Sequence, residues 1–482
     1  MDIFLKKKWF VVNVEIATRE LLSKLLLAYK LANRGHGVIL TGDFSSNVNR
    51  FPKCTYLTNS MYRNNHDELL TIKSLGNRLC ILDEEAIVIR CIDEYLRRLP
   101  SENMELVDKF FCIGRGHHQT MTEGLPDHSS KFVITGNPRI NLLDEMFNEF
   151  EDQVVNDIKR EYGDFVLLVS NFGTVNLFGS DVSKDQRYKS KYLMFKQQGL
   201  LNDPNADQEF CERFEHYENI FAGFRSLVKK IGSDHHDIKI VIRIHPSEDP
   251  KIWSAIGKEF PNVHITQKGN LTEWIKASKL VLQNGCTSAL ESFYLRKPCI
   301  SYRPVINEQY DQLLPSQLSL NLYSQADVIL HLKQNINTFW DENRCMHAGI
   351  LDREISNSVS DMSAEEIVNS LVLRAPSAYF SKMVFKLLGL RLVMFRHYLS
   401  KLKKFAGKSF VKILRLAGFP KTRFLAGLHK KVVGVELQEL KLKNFNLSEL
   451  QRHIRTLDKI YGKTSNIEIQ KLSKHSYLLK CK

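Results

Sequence analysis

Short apolar runs separated by amphipathic stretches fill the first 135 residues. Phe10 to Ile16, Gly37 to Thr41, Arg78 to Leu82, Phe110 to Ile113 and Phe132 to Thr135 read as strands, and Thr18 to Asn33 as a helix. Runs this apolar suit strands covered on both faces, so they predict an α/β, doubly wound sheet. Gly136-Asn137-Pro138-Arg139 interrupts the pattern, and a charged helix from Ile140 to about Glu161 leads into a second set. There, strands at Phe165 to Ser170, Ile238 to Ile244, Val263 to Thr266, Leu280 to Gln283 and Cys299 to Tyr302 alternate with helices at Glu209 to Lys230, Ile252 to Glu259, Leu271 to Ala277 and Ser288 to Leu295. The expected units are 1–136, 137–375 and a helical extension over 376–482.

Ligands of such sheets sit beyond the carboxyl ends of the strands, which directs attention to the residues just past each run. In the second half, Arg243-Ile244-His245-Pro246 ends one strand, and Arg243 and His245 can both face a phosphate. Asn284-Gly285-Cys286-Thr287-Ser288-Ala289-Leu290-Glu291 follows another and opens a helix whose N–H groups and dipole favour an anion. Thr287 and Ser288 add hydroxyls, and Glu291 lies one turn on, placed to accept from ribose. Either segment alone has an ordinary structural explanation, a strand end or an N-cap. Together they read as a site for a nucleotide-linked donor, built from Arg243, His245, Asn284, Gly285, Thr287, Ser288 and Glu291.

The facing half supplies carboxylates. Glu15 closes the first strand, and Asp83-Glu84-Glu85 follows another, so the trio is expected to share one cleft and raise one another's pKa values. One of these four could perform the chemistry, deprotonating an acceptor hydroxyl or attacking an anomeric carbon. The structural alternatives are a Glu15–Arg19 pair and a helix cap by Asp83. Arg19, Asn137, Arg139 and Asn171 complete the expected cleft. Gly114-Arg115-Gly116-His117-His118-Gln119 reads as a cleft loop without the dinucleotide fingerprint. Asp234-His235-His236-Asp237 sits on the turn before the strand of His245, away from the cleft, and reads as a solvated loop. Two facing Rossmann-like halves make the GT-B plan. No D-x-D tripeptide occurs, so no metal is expected, and basic groups would meet the charge of the leaving phosphate.

Composition changes this picture in one respect. The hydrophobic fraction of 43% suffices for full cores, and nine cysteines without a C-x-x-C pair read as reduced thiols. Neither a secretory leader nor a long apolar span is evident, which points to the cytoplasm. The net charge of +14, however, resides entirely in residues 381–431, which hold 14 Lys or Arg and no acidic residue. On an ideal helix most of these fall within roughly a 180° arc opposite apolar residues such as Leu387 and Met394. A neutral body with one basic amphipathic segment is expected to lie on an anionic membrane surface rather than on nucleic acid.

Residues 10–305 resemble bacterial surface carbohydrate biosynthesis proteins, relatives of CDP-glycerol glycerophosphotransferases and capsule GT-B enzymes. The likeness is carried by Val14-Glu15-Ile16 with Thr18-Arg19-Glu20, Leu25-Leu26-Leu27-Ala28, Arg34-Gly35-His36, Leu82-Asp83-Glu84-Glu85, Thr135-Gly136-Asn137-Pro138-Arg139 and Ser170-Asn171-Phe172 with Val175-Asn176. The chain departs from that family's pattern in having Asn141 for Asp and Ser170 for Thr. The resemblance implies a transferase that uses a nucleotide sugar to extend a lipid-linked capsule or lipopolysaccharide acceptor, peripheral on the inner face of the inner membrane, with no cofactor. The His-Pro element is similar to that of GT-B enzymes using cytidine nucleotides, which implies that the catalytic His245 holds or protonates the donor phosphate and that the donor is a CMP-activated ulosonic acid such as 3-deoxy-manno-octulosonic acid. Three alternatives stand beside it: a CDP-alditol phosphotransferase, a sugar-nucleotide epimerase, and a non-catalytic scaffold of a glycan assembly complex.

Overall fold

The apolar runs form the strands of two sheets. In the computed structural model, which describes residues 7–42, 53–62, 65–89, 92–150, 152–177, 183–197, 201, 206–311, 313–334, 349, 351, 353–358, 360–373, 441–442 and 445–481, the first half contains β1 (Trp9–Asn13), β2 (Gly37–Thr41), β3 (Thr55–Thr58), β4 (Arg78–Leu82), β5 (Lys109–Cys112) and β6 (Phe132–Ile134). The second half contains β7 (Val166–Val169), β8 (Ile240–Arg243), β9 (Val263–Thr266), β10 (Leu280–Gln283), β11 (Cys299–Tyr302) and β12 (Leu320–Leu322), and the chain ends in β13 (Ile467–Ser473) and β14 (Ser476–Cys481). The sheet orders are β13-β14-β2-β1-β3-β4-β5-β6 and β12-β11-β10-β7-β8-β9. Both sheets are parallel apart from the terminal hairpin, which adds antiparallel to β2. Phe10 and Val12 enter the core on one face while Val11 enters the core on the other, which is why β1 shows no polar alternation. This is the two-unit GT-B arrangement expected from the sequence, and its chain order reverses between β1 and β3 and between β7 and β10. Those reversals open a crevice at the carboxyl end of each sheet.

Five helices position the site: α1 (Ala17–Asn33), α2 (Ala206–Asp234), α3 (Ser288–Tyr294), α4 (Met362–Leu373) and α5 (Leu447–Ile460). The helix expected from Ile140 to Glu161 is instead three pieces, Pro138–Asn141, a 3-10 turn Glu145–Phe150 and Asp152–Tyr162. Asp144 breaks it, because its carboxylate accepts from the N–H of Met146 at 3.1 Å and of Ser360 at 2.9 Å and so competes with the helical ladder. The expected loop at Gly114 opens the helix Arg115–Gly124. A Cβ at Gly114 would meet the backbone oxygen of Glu354 at 2.1 Å, so glycine there permits close approach of the crossing chain. At the unit boundary Gly136 takes φ 80°, and a Cβ there would collide with the Ser356 carbonyl at 2.1 Å.

The largest departure lies at the C-terminus. Residues 381–431, which carry the basic amphipathic pattern, fall outside the described residues. Beyond them the chain does not continue as a helical extension but returns to the first half. α5 packs its Leu450, Ile454 and Leu457 into the core around α1, and β14 buries Tyr477 and Leu479 there. α4 also packs on α1, through Ala364, Ile367, Val368 and Leu371, and is tied by Lys30 to Glu365 at 2.8 Å. An unpaired β2 would otherwise expose a row of backbone donors and acceptors at the edge of the sheet.

The return should therefore contribute to stability. Leu479→Ala removes a side chain with no exposed surface and is expected to cost about 2–5 kcal/mol. Urea denaturation followed by circular dichroism measures it, and a loss under about 1 kcal/mol would mean that the hairpin is not integrated into the core.

Candidate active site

The wall contributed by the first half is organised by buried ion pairs. Glu20, wholly buried in the first turns of α1, receives the Arg19 guanidinium at 2.7 Å, the Glu15 N–H at 3.1 Å and the Asn59 amide. One carboxylate thus fixes the loops after β1 and β3, the two edges of the crevice. Arg19 also reaches Glu85 at 2.7 Å. Glu84 lies between Lys24 at 2.7 Å and Arg139 at 3.7 Å, and accepts from the Asn137 amide at 3.2 Å. Asn137 in turn caps the short helix that bears Arg139.

The acidic trio does not behave as a mutually repelling group, because each member has its own environment. Burial opposes the charge of Glu84, yet Lys24 and Arg139 outweigh it and hold its pKa at about 2. Burial likewise opposes ionisation of Glu85, and Arg19 holds it below the ordinary range. Asp83 alone is raised, to about 7, chiefly by burial. It caps the 3-10 turn through the Glu85 N–H at 2.9 Å and accepts from Tyr95 at 3.0 Å. Tyr95 also lies 3.0 Å from Nε2 of the buried His117, whose Nδ1 accepts from the Ile113 N–H at 3.3 Å. That bond places the imidazole proton on Nε2 and directs a chain of donors from His117 through Tyr95 to Asp83. Asp83 and Glu84 are 1% and 3% exposed, so the expectation that they face the cleft is corrected: burial withdraws both. The accessible carboxylates are Glu85 and Glu15, the latter 3.1 Å from Lys441 of the C-terminal return rather than paired with Arg19. Asp83, Glu85 and Glu15 all act on Tyr62, whose ionisation is suppressed first by burial and then by their charges.

The opposite wall keeps donors in reserve. Arg243, at the end of β8, spends Nη2 on the Gly269 carbonyl at 2.7 Å, while its buried Nε has no hydrogen-bond partner among the described residues. His245 Nδ1 accepts from the Ser247 N–H at 3.2 Å and lies 2.7 Å from the Ser247 hydroxyl, which leaves the neutral ring's proton on Nε2. The ring surface is open to the cleft, but surrounding protein crowds out solvent and Arg19 and Arg243 add positive charge, so its pKa is pushed down to about 4. That shared field brings His245 together with Arg19 and Glu85 from the other wall. Asn171, after β7, donates to the Gly285 carbonyl at 3.4 Å across the second crevice, and Gly285 takes φ 58°. Beside them the buried Asn284 Oδ1 has no partner among the described residues.

Three expectations change here. α3 spans only two turns, so its N-terminus contributes little as an anion site. Ser288 is wholly buried beside Cys286, leaving Thr287 as the accessible hydroxyl. Glu291 accepts from Arg139 at 3.1 Å, bridging the halves. Asn141 is fully buried and structural, its amide donating to Asn357 O at 2.8 Å and its oxygen accepting from the Ala364 N–H at 3.2 Å. Asp234-His235-His236-Asp237 lies on the exposed turn before β8. Sequence reasoning passed over Glu248, a buried carboxylate that receives Ser170 at 2.6 Å and the Phe172 N–H at 2.8 Å and so braces the turn carrying His245. A carboxylate three residues beyond a His-Pro strand end was the available signal. A cavity of about 290 Å³ lies between the halves, with Arg19, Arg139, Glu291 and Arg452 of α5 on its sides.

No protein-family model matches the sequence, and no curated protein matches it. Among solved structures, the Methanocaldococcus jannaschii UDP-GlcNAc 2-epimerase is 14% identical, with 76% of this chain and 99% of that one covered at a TM-score of 0.45. The Neisseria meningitidis UDP-GlcNAc 2-epimerase is 13% identical, covering 76% and 99%, with a TM-score of 0.45. The wall teichoic acid polymerase TagF is 10% identical, covering 76% and 88%, with a TM-score of 0.45.

Two outcomes follow from the buried charges. Lys24→Met leaves the buried Glu84 only Arg139 at 3.7 Å and the Asn137 amide at 3.2 Å and is expected to cost about 3 kcal/mol, with much of it regained in Lys24→Met/Glu84→Gln. Urea melts of both variants decide this, and equal melts would mean that the pair carries no coupling. For Asp83, the folded pKa of about 7 lies above the ordinary value of about 4, so between these values the native state holds a proton that the unfolded chain has lost. Its contribution is present at low pH and lost as pH rises through 7. The stability difference between the natural protein and Asp83→Asn should therefore shrink from pH 4.5 to pH 7.5 (roughly the window set by those two values), and a flat difference would show that Asp83 does not titrate there.

Proposed function

We propose that the protein is a glycosyltransferase of bacterial surface polysaccharide assembly, taking a sugar from a nucleotide donor, a CMP-activated ulosonic acid, to a lipid-linked glycan acceptor. The observation that carries this reading is a pair of buried polar atoms without partners among the described residues, Arg243 Nε past β8 and Asn284 Oδ1 past β10, together with the exposed ring of His245, whose Nδ1 is occupied and whose proton lies on Nε2. Buried polar atoms are seldom left unpaired, so such a group marks a surface that a polar ligand completes. A donor phosphate suits Arg243 and His245, and Asn284 suits the nucleoside.

In the reaction, the acceptor hydroxyl oxygen attacks the anomeric carbon as the bond from that carbon to the phosphate oxygen breaks. The bonding electrons leave with the nucleotide, whose charge is met by Arg243 and the His245 N–H, donors already oriented before reaction. Glu85 and Glu15 are the carboxylates accessible to receive the acceptor's proton, and the charge of Glu85 already acts on His245. No metal enters this scheme. In the chain, residues 381–431 fall between α4, which ends at Leu373, and α5, which begins at Leu447, and both helices pack into the core with α1. A membrane surface held by that basic segment would present its acceptor on the side of the first half. No helix among the described residues is long and apolar enough to cross a membrane itself.

A thermal-shift series with CMP, CDP, UDP, GDP and TDP tests the donor site, since ligand at 100 times its Kd stabilises by about 2.7 kcal/mol. The expected result is a selective shift with cytidine nucleotides that His245→Ala abolishes, with turnover of that variant falling by on the order of 10²-fold. Absence of any nucleotide shift would favour the scaffold reading, and a phosphodiester product by mass would favour the alditol phosphotransferase.

A further inference from the structure

The cavity between the halves is lined in part by a helix that neither crevice supplies. That helix is α5, from the chain's return, which contributes Glu449, Arg452 and His453. Arg452 lies 2.7 Å from Glu449, and His453 packs its ring against Phe150 at 5.6 Å. Burial and the adjacent Arg452 push His453 down to about 4, so it is neutral at physiological pH.

The charges facing the cavity balance. Arg19, Arg139 and Arg452 stand against Glu273, Glu291 and Glu449. Arg19 is further satisfied by the buried Glu20 and by the accessible Glu85, and Arg139 by the buried Glu84. An anion entering here would find no excess positive charge. What the lining does offer is guanidinium and carboxylate groups, the hydroxyls of Thr18 and Thr272, and apolar side chains including Leu21, Leu142 and Val154. Vicinal hydroxyls pair with guanidinium and carboxylate edges, and the C–H face of a pyranose packs on such apolar side chains. A volume of about 290 Å³ is at the low end of small-molecule sites, which suits a terminal residue or two rather than a polymer.

We infer that this cavity is the subsite for the uncharged terminal glycosyl unit of the acceptor, and that Arg452 on α5 is a specificity-determining residue. The inference rests on the transferase reading, which it extends by naming the class of acceptor end. It also assigns a role to the C-terminal return beyond covering β2: removing α5 would open the site on one side.

Saturation-transfer NMR on the full chain tests it with methyl glucoside, methyl galactoside and methyl N-acetylglucosaminide as neutral probes, and methyl glucuronide and glucose 1-phosphate as charged ones. Transfer to at least one neutral probe is expected, exceeding transfer to the charged probes, and affinity should fall by about tenfold in Arg452→Ala, the scale of one or two hydrogen bonds. Arg452 is half exposed and touches Glu449, so the variant should fold; Thr272→Val provides a second, independent reduction. No transfer to any neutral probe, stronger transfer to the charged ones, or unchanged affinity in both variants would overturn the inference. The cytidine-nucleotide shift, measured on the same samples, should be unaffected by Arg452→Ala. Glycoside binding without a nucleotide shift would remove the donor reading and leave the glycosyl subsite standing.

Discussion

The arrangement of the two halves depends on a carboxylate that has no access to water. Glu84 sits at the end of β4 with Lys24 on one side and Arg139 on the other, and Arg139 continues to Glu291 in the second half. Taking these charges out of solvent is costly, and each is tolerable only while its partners remain in place. Arg139 belongs to the short helix capped by Asn137 immediately after the Gly136 turn, so the chain crosses between units at the point where its charge is required. Such a chain contributes less to net stability than to choosing one relative position, since misplacing either half leaves a buried ion alone. The cleft geometry follows from that choice: His245 acquires its low pKa in part from Arg19, a residue of the opposite wall.

Much of this was legible in the sequence. Strands buried on both faces announce themselves as unbroken apolar runs, and the limits read at Gly37–Thr41, Arg78–Leu82 and Leu280–Gln283 coincide with those of the structure. The position of candidate residues past strand ends was legible for the same reason, since parallel sheets place ligands there. β3, Thr55–Thr58, was passed over because its run of four residues is short and flanked by polar chain, and with it went Asn59 and Tyr62.

What the sequence could not carry is pairing between distant segments. Asp83-Glu84-Glu85 looks like one acidic group in one dimension; in three, a helix lysine, an interdomain arginine and a cleft arginine separate its members into a raised acid and two depressed ones. The terminal hairpin alternates only weakly and follows a long basic stretch, so nothing local distinguishes a returning edge strand from an appended tail. Its partner, β2, lies more than 400 residues earlier.

The two walls handle charge in opposite ways, and this division bears most directly on function. On the first half Arg19, Arg139, Glu20 and Glu84 are each held in ion pairs, and the accessible Glu85 and Glu15 are paired with Arg19 and Lys441. On the second half Arg243 and His245 retain donors, and the carboxylates that moderate Arg243, Glu291 and Glu273, are themselves held by Arg139 and by a capping box with Asn270. For the proposed transferase, the anionic end of a ligand spanning the cleft would gain on the side of β8 and β10, and its neutral, hydroxylated end would lie on the side of α1. A transferase needs that asymmetry, because the charge develops on the leaving phosphate while the acceptor must approach unhindered by a competing anion site.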